Sequence, residues 1–95
     1  ICMLAVLLPL FGQQKKTRLI VRSDDMGSFH SANVASIDGY KNGIQTSIEV
    51  MVVTPWFPEA VKMFRENPGS DVGLHLVLTS EWENIKWRPL TPCPA

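Results

Sequence analysis

Leu19-Ile20-Val21-Arg22-Ser23-Asp24-Asp25-Met26-Gly27 is an apolar strand that runs into two adjacent carboxylates and a glycine. An unpaired carboxylate inside a packed sheet is strongly unfavourable, so Asp24 and Asp25 call for a strand end open to water or to a partner. A second polar interruption matches the first. His75 stands inside the apolar run Val72-Gly73-Leu74-His75-Leu76-Val77-Leu78. An aspartate pair at one strand end and a histidine in another strand can converge on one metal ion.

Outward from that stretch, residues 18–23 read as the first strand, with Leu19, Ile20 and Val21 as its apolar core. A polar turn covers Asp24 to Ser31. Helical spacing follows from Ala32 to Asn42, placing Val34, Ile37 and Tyr40 on one face, with Ser31 as N-cap and Gly43 as terminator. Thr46 to Val53 is rich in β-branched residues and reads as a second strand, broken by Thr54-Pro55. Pro58 opens a second helix with Glu59 in its first turn. Ala60, Val61 and Phe64 form its apolar face, Met63 lies alongside, and Asn67-Pro68-Gly69 stops it. The third strand runs from Val72 to Thr79, and Ser80 to Ala95 is a long Pro-rich loop carrying Trp82 and Trp87.

The order strand-helix-strand-helix-strand predicts an α/β fold with parallel strands joined by right-handed crossovers. Two architectures satisfy it, the start of a (β/α) barrel and the start of an open doubly wound sheet. Both place a ligand site at the carboxyl ends of the strands, where Asp24 and Asp25 stand.

The 95 residues hold one small domain at most. Nine basic and nine acidic residues cancel, and no basic stripe with interleaved aromatics occurs, which argues against nucleic acid and anionic membrane as partners. Residues 1–11 carry no charge. That run is too short to span a bilayer, which takes about 20 apolar residues, but it suits the core of a secretory signal peptide with Gly12-Gln13-Gln14 as a polar exit. Residues 1–14 are accordingly expected to be a partial signal peptide, and 15–95 the N-terminal part of a single domain. Export to the periplasm or the exterior follows, or a cytoplasmic protein if the run is a core element. The first residue is not Met and the chain closes on Pro92-Cys93-Pro94-Ala95, so a fragment of a longer protein is expected. With the leader removed Cys93 has no internal disulfide partner, and no metal-type cysteine spacing occurs.

A divalent metal that activates water takes a few N and O ligands and keeps an open position. Asp25 and His75 can supply two ligands, leaving the neighbouring carboxylate to accept a proton from water. The competing reading has Asp24 capping a turn and His75 as a hydrogen-bonded core histidine. A nucleotide-binding domain is disfavoured, because no Gly-rich loop follows the first strand and two aspartates there repel phosphate.

The wording of the segments goes further. Asp24-Asp25-Met26-Gly27 with Asn33 after it, Gly43-Ile44-Gln45-Thr46-Ser47, the strand containing Met51, and Gly73-Leu74-His75-Leu76-Val77-Leu78-Thr79 resemble, in order and spacing, the motifs of the YdjC-like carbohydrate deacetylases. The resemblance covers Arg18 to Thr79. It implies an irregular barrel-like β/α fold and removal of acetyl groups from N-acetylated sugars, often chitin-derived oligosaccharides, with a divalent metal, magnesium or zinc. It further implies that Asp24 is the catalytic base, Asp25 a metal ligand and His75 a second ligand. The family's third ligand is a histidine further along its chain, and no residue of this sequence fills that role. Substrate-binding residues are left unassigned.

Other residues are read more plainly. His30 falls in a turn where the family pattern requires no histidine and reads as a surface or pocket-rim residue. Glu49 stands where relatives tend to have small residues, and Val52 and Val53 where many carry a polar one, which leaves the sugar preference open. Periodicity does not decide whether Glu49 faces solvent or the site. Trp56, Trp82 and Trp87 have faces suited to sugar rings, yet burial of area alone accounts for them, so packing is expected. Met26 and Met51 read as core. The expected partner of the full-length protein is a small-molecule or oligosaccharide substrate, with no nucleic acid, no membrane once the leader is removed, and a homodimer left open. The piece alone is expected to be inactive, and the alternative for the parent is a non-catalytic carbohydrate-binding relative.

Overall fold

A computed structural model describes residues 16–91, so the expected signal peptide lies outside the described residues. Within them five elements alternate: β1 (Arg22–Met26), α1 (His30–Asn42), β2 (Ser47–Val50), α2 (Phe57–Glu66) and β3 (Val72–Leu74). The strands form one parallel sheet in the order β1-β2-β3, giving the expected α/β arrangement. No helix among the described residues is long and apolar enough to cross a membrane.

Both helices cover one face of the sheet. Met26, Ile48, Val50 and Ala60 are the buried centre, with Ile37, Tyr40, Phe57, Met63 and Phe64 packed against them. A fully buried side chain of this size contributes about 1.5–3 kcal/mol by leaving water, so these few residues carry most of the cohesion. With Phe57 joining in place of the expected Val61, the α2 face matches its sequence spacing at Ala60, Met63 and Phe64. The α1 face does not. Ile37 and Tyr40 pack as expected, but Val34 is exposed and the buried positions are Asn33 and Ser36. Ser36 meets the sheet through a hydroxyl pair, Ser23 Oγ donating to Ser36 Oγ at 2.9 Å.

Several boundaries move. The first strand is not 18–23: Leu19 and Ile20 are 78% and 69% exposed. Pairing begins where β2 provides a partner, at Arg22 opposite Ser47, and Asp24 and Asp25 lie within the strand. Helix α1 starts at His30, two residues before the expected start, with Phe29 rather than Ser31 at the N-cap and no side-chain cap. Gly43 does end it, its N–H donating to the Gly39 carbonyl at 3.0 Å. Strand β2 ends at Val50 instead of Val53. The Met51 carbonyl accepts from the Thr54 hydroxyl at 2.6 Å, which turns the chain toward α2.

Strand β3 is three residues long, where the apolar run predicts eight, Val72 to Thr79. Its ladder stops because β2 stops: His75 N–H donates to the Val50 carbonyl at 3.0 Å, and no β2 residue follows to pair.

Candidate metal centre

The two aspartates owe their placement to an irregularity in β1. Ser23 pairs with Ile48 and Met26 with Val50, so Asp24 and Asp25 together stand opposite Glu49 alone. Ser23 and Met26 both point to the helix-covered face. Residues three apart share a face of a strand only if one extra residue is bulged out. The bulge therefore puts the carboxylates away from the helices, at the carboxyl end of the strand. Its backbone signature is Asp25 at φ 66°, the one non-glycine among the described residues with positive φ. Aspartate tolerates this region better than most residues because its short side chain adjusts to the local backbone, at a cost of order 1 kcal/mol.

The segment after the bulge holds that conformation. The Asp25 carbonyl accepts from Ser28 Oγ at 2.6 Å and from Ser28 N–H at 3.2 Å. Gly27 has φ 101°, and a Cβ there would lie 2.7 Å from Thr54 Oγ1 and 2.8 Å from the Met51 carbonyl oxygen, so only glycine fits. Its N–H donates to Asn33 Oδ1 at 2.6 Å, and its carbonyl accepts from Trp56 N–H at 2.9 Å.

Asn33 joins this turn to both helices. It is fully buried, and its Nδ2 donates to the Trp56 carbonyl at 3.1 Å and to Glu59 Oε2 at 2.8 Å. The other Glu59 oxygen lies 2.8 Å from His30 Nδ1. The hydrogen bond from Asn33 and then the one from His30 hold the Glu59 carboxyl below its ordinary value of 4.5. A depressed carboxyl stabilises the fold above its unfolded value and loses that contribution as pH falls through the folded one. Urea midpoints from about pH 6 down to about pH 3 should therefore fall below pH 4.5, with a shallower decline in Glu59→Gln. Equal slopes in the two proteins would contradict this account of Glu59.

His75 arrives from the third strand. Its Nδ1 is 3.3 Å from Asp25 Oδ1 and 3.4 Å from the Asp25 backbone nitrogen. These are alternatives: a protonated Nδ1 donates to the carboxylate, a bare one accepts from the amide. Both side chains are about one-third to one-half exposed, which leaves them open to a ligand. Asp24, the neighbouring bulge residue, is exposed. The structure thus brings Asp25 and His75 together, with Asp24 beside them but not lining their cavity.

The donor set fits two ligands of one metal. A carboxylate oxygen and an imidazole nitrogen, each about 2.0–2.1 Å from a tetrahedral ion, sit about 3.3 Å apart. Among the described residues no group of three or more His, Cys, Asp or Glu side chains gathers at one point.

His30 is exposed, paired with Glu59 and 5.7 Å from the Trp56 ring, and does not line the cavity at Asp25 and His75. Glu49 is buried, accepting from Ser47 Oγ at 2.9 Å and lying 3.6 Å from Arg22. It lies over Gly73, the residue paired with it on β3, where a Cβ would collide with its carboxylate. Met26 is core as expected, whereas Met51 is buried and also lines the cavity at Asp25 and His75. Trp56, expected to be packed, is 43% exposed at the N-cap of α2 and meets only the His30 ring at 5.7 Å among the aromatic contacts of the described residues. Trp82 and Trp87 line the same cavity as Met51, a placement the loop sequence alone did not reveal. Asn33 was legible as a motif residue, but its role was not. A usable signal was a polar residue at an inward helical position, in step with Ile37 and Tyr40.

The chain is an α/β protein with a parallel sheet, and its carboxylate–histidine pair stands at the strand carboxyl ends, where sheets of this class bind ligands. The family described as YdjC-like protein matches residues 18–95, and the chain belongs to that family. Curated relatives share its sequence. A carbohydrate deacetylase of Clostridium beijerinckii is 43% identical over 63 residues, covering 66% of this chain and 26% of that protein. A carbohydrate deacetylase of Brevibacillus brevis is 39% identical over 62 residues, 65% of this chain and 25% of that protein. One from Listeria welshimeri is 37% identical over 62 residues, with the same coverage of 65% and 25%. The chain spans about a quarter of the length of these relatives.

Proposed function

We propose that the full-length protein is a metal-dependent hydrolase that removes acetyl groups from N-acetylated sugars. The observation that carries the reading is the Asp25–His75 pair, 3.3 Å apart, at the strand ends of a chain whose relatives are named carbohydrate deacetylases. A divalent metal, when bound, polarises the amide carbonyl and acidifies water. Asp25 and His75 would hold it, together with at least one further ligand from outside the described residues. Zinc accepts this oxygen and nitrogen donor pair, whereas magnesium, which favours oxygen, would rest mainly on the carboxylate and water.

Asp24 takes the proton. It sits on the same bulge as Asp25, exposed to the solvent from which the attacking water comes. As the water oxygen bonds to the carbonyl carbon, Asp24 accepts the water proton. The C–N bond then breaks and a proton passes to the leaving nitrogen, giving acetate and a free amine. The bulge matters because it sets two carboxylates side by side, one to bind and one to exchange protons.

Two measurements on the full-length protein test the reading. Metal analysis of the purified protein is expected to find a divalent ion, and N-acetylated oligosaccharides are expected to yield acetate that chelation abolishes. Affinity for the oligosaccharide with no acetate released would instead establish a carbohydrate-binding protein.

A further inference from the structure

The cavity onto which Asp25 and His75 open has a second wall that the proposed reaction does not use. Val77 follows His75 at two-residue spacing, so both side chains fall on one side of the chain, and they line the cavity together with Thr79 at the bend. Met51 enters from the end of β2, and Glu81, Trp82 and Trp87 from the segment that returns over the site. That aromatic wall is pinned. Trp82 meets Trp87 edge to face with ring centres 5.4 Å apart, and Phe29 backs Trp82 at 5.5 Å. Trp87 is only 9% exposed, so it offers a fixed surface rather than a free face for a sugar ring to stack on.

Size decides what fits. The cavity holds about 150 Å³. A cavity of that size takes a molecule about as large as benzene, and it lies below the range of about 300–1,000 Å³ usual for drug-sized ligands. A whole pyranose with its substituents does not enter. An acetamido group does: its carbonyl suits the Asp25–His75 side and its methyl the side of Met51, Val77 and the tryptophans, with Thr79 and Glu81 as the remaining polar lining.

We propose that Met51, Val77, Trp82 and Trp87 form an acyl pocket that seats the methyl group and limits the length of the acyl chain, while the sugar ring stays outside it. This inference rests on the deacetylase reading. Its consequence is selectivity by chain length, since each methylene that a tight apolar pocket must accept or refuse changes the rate about tenfold or more.

The test compares carboxylate release by the full-length protein from N-acetyl, N-propionyl and N-butyryl forms of one chitin-derived disaccharide. Wild type should prefer acetyl to butyryl by about 100-fold in kcat/KM, and Val77→Ala and Trp87→Leu should each narrow that preference about tenfold or more. A preference within about threefold of wild type in both variants overturns the proposal. If circular dichroism shows Trp87→Leu unfolded, Val77→Ala alone decides. If wild type releases no carboxylate from any substrate, the deacetylase reading fails, and tryptophan fluorescence then decides the pocket. Quenching by the N-acetylated disaccharide, extended to the N-butyryl form by Val77→Ala, supports it. Equal quenching by the N-acetylated and free-amine forms overturns it.

Discussion

His75→Ala in the full-length protein is expected to lose bound metal and to lower deacetylation at least ~100-fold, since removing even an outer partner of a metal ligand costs up to that much. Asp25→Asn should do the same. Asparagine tolerates positive φ about as well as aspartate, so this substitution keeps the bulge at φ 66° and removes only the charge. Alanine would mix loss of the ligand with backbone strain. Asp24→Asn should separate from both, keeping the metal while losing ~100-fold or more in kcat, the usual share of a positioned general base. Metal content by elemental analysis, read beside acetate release, distinguishes these patterns. Wild-type turnover in Asp24→Asn would remove Asp24 from the role of base, and full metal in His75→Ala would remove His75 from the ligand set.

The second large effect is on stability and comes from a residue with no proposed chemistry. Asn33→Leu leaves the buried Gly27 N–H without its 2.6 Å acceptor and takes the donor from both Glu59 and the Trp56 carbonyl. Each buried group left unpaired costs about 1–3 kcal/mol, so a loss of about 3 kcal/mol is expected from urea denaturation of the full-length protein. Asn33→Asp gives a sharper test. It retains an acceptor for Gly27 but sets a second carboxylate where Glu59 Oε2 now lies 2.8 Å away. Like charge and burial both raise the new carboxyl, so the destabilisation should be greatest at neutral pH and ease as pH falls through that raised value. A pH-independent loss in Asn33→Asp would mean that Glu59 does not feel the new charge.

These two sets of variants probe one mechanical idea. The Asp25 side chain is aimed by the turn that follows it, and that turn is held by Gly27, Ser28 and Asn33 rather than by the sheet ladder. The ladder cannot do this, because the bulge leaves two residues of β1 opposite a single residue of β2. The network runs on through Asn33 and Glu59 to His30. His30 thus belongs to the support of the site although its ring is away from it.

The parallel α/β order, both helices and the Gly43 stop were legible in the sequence, because helical spacing and β-branched runs are local signals, and a polar residue breaking an apolar run singled out Asp24, Asp25 and His75 as candidates. Strand ends were not, since a strand lasts only as long as its neighbour does: Leu19 and Ile20 are apolar yet have no β2 partner, and β3 stops where β2 stops. Only the tertiary structure decided that Ser23 and Met26 share the helix-covered face. That single choice bulges out the aspartates, turns both away from the core, and brings Asp25 within 3.3 Å of a histidine 50 residues along the chain. It also decided that Trp82 and Trp87 close over this pair rather than over the core. Both outcomes depend on contacts between distant segments, and no local pattern of residues encodes those.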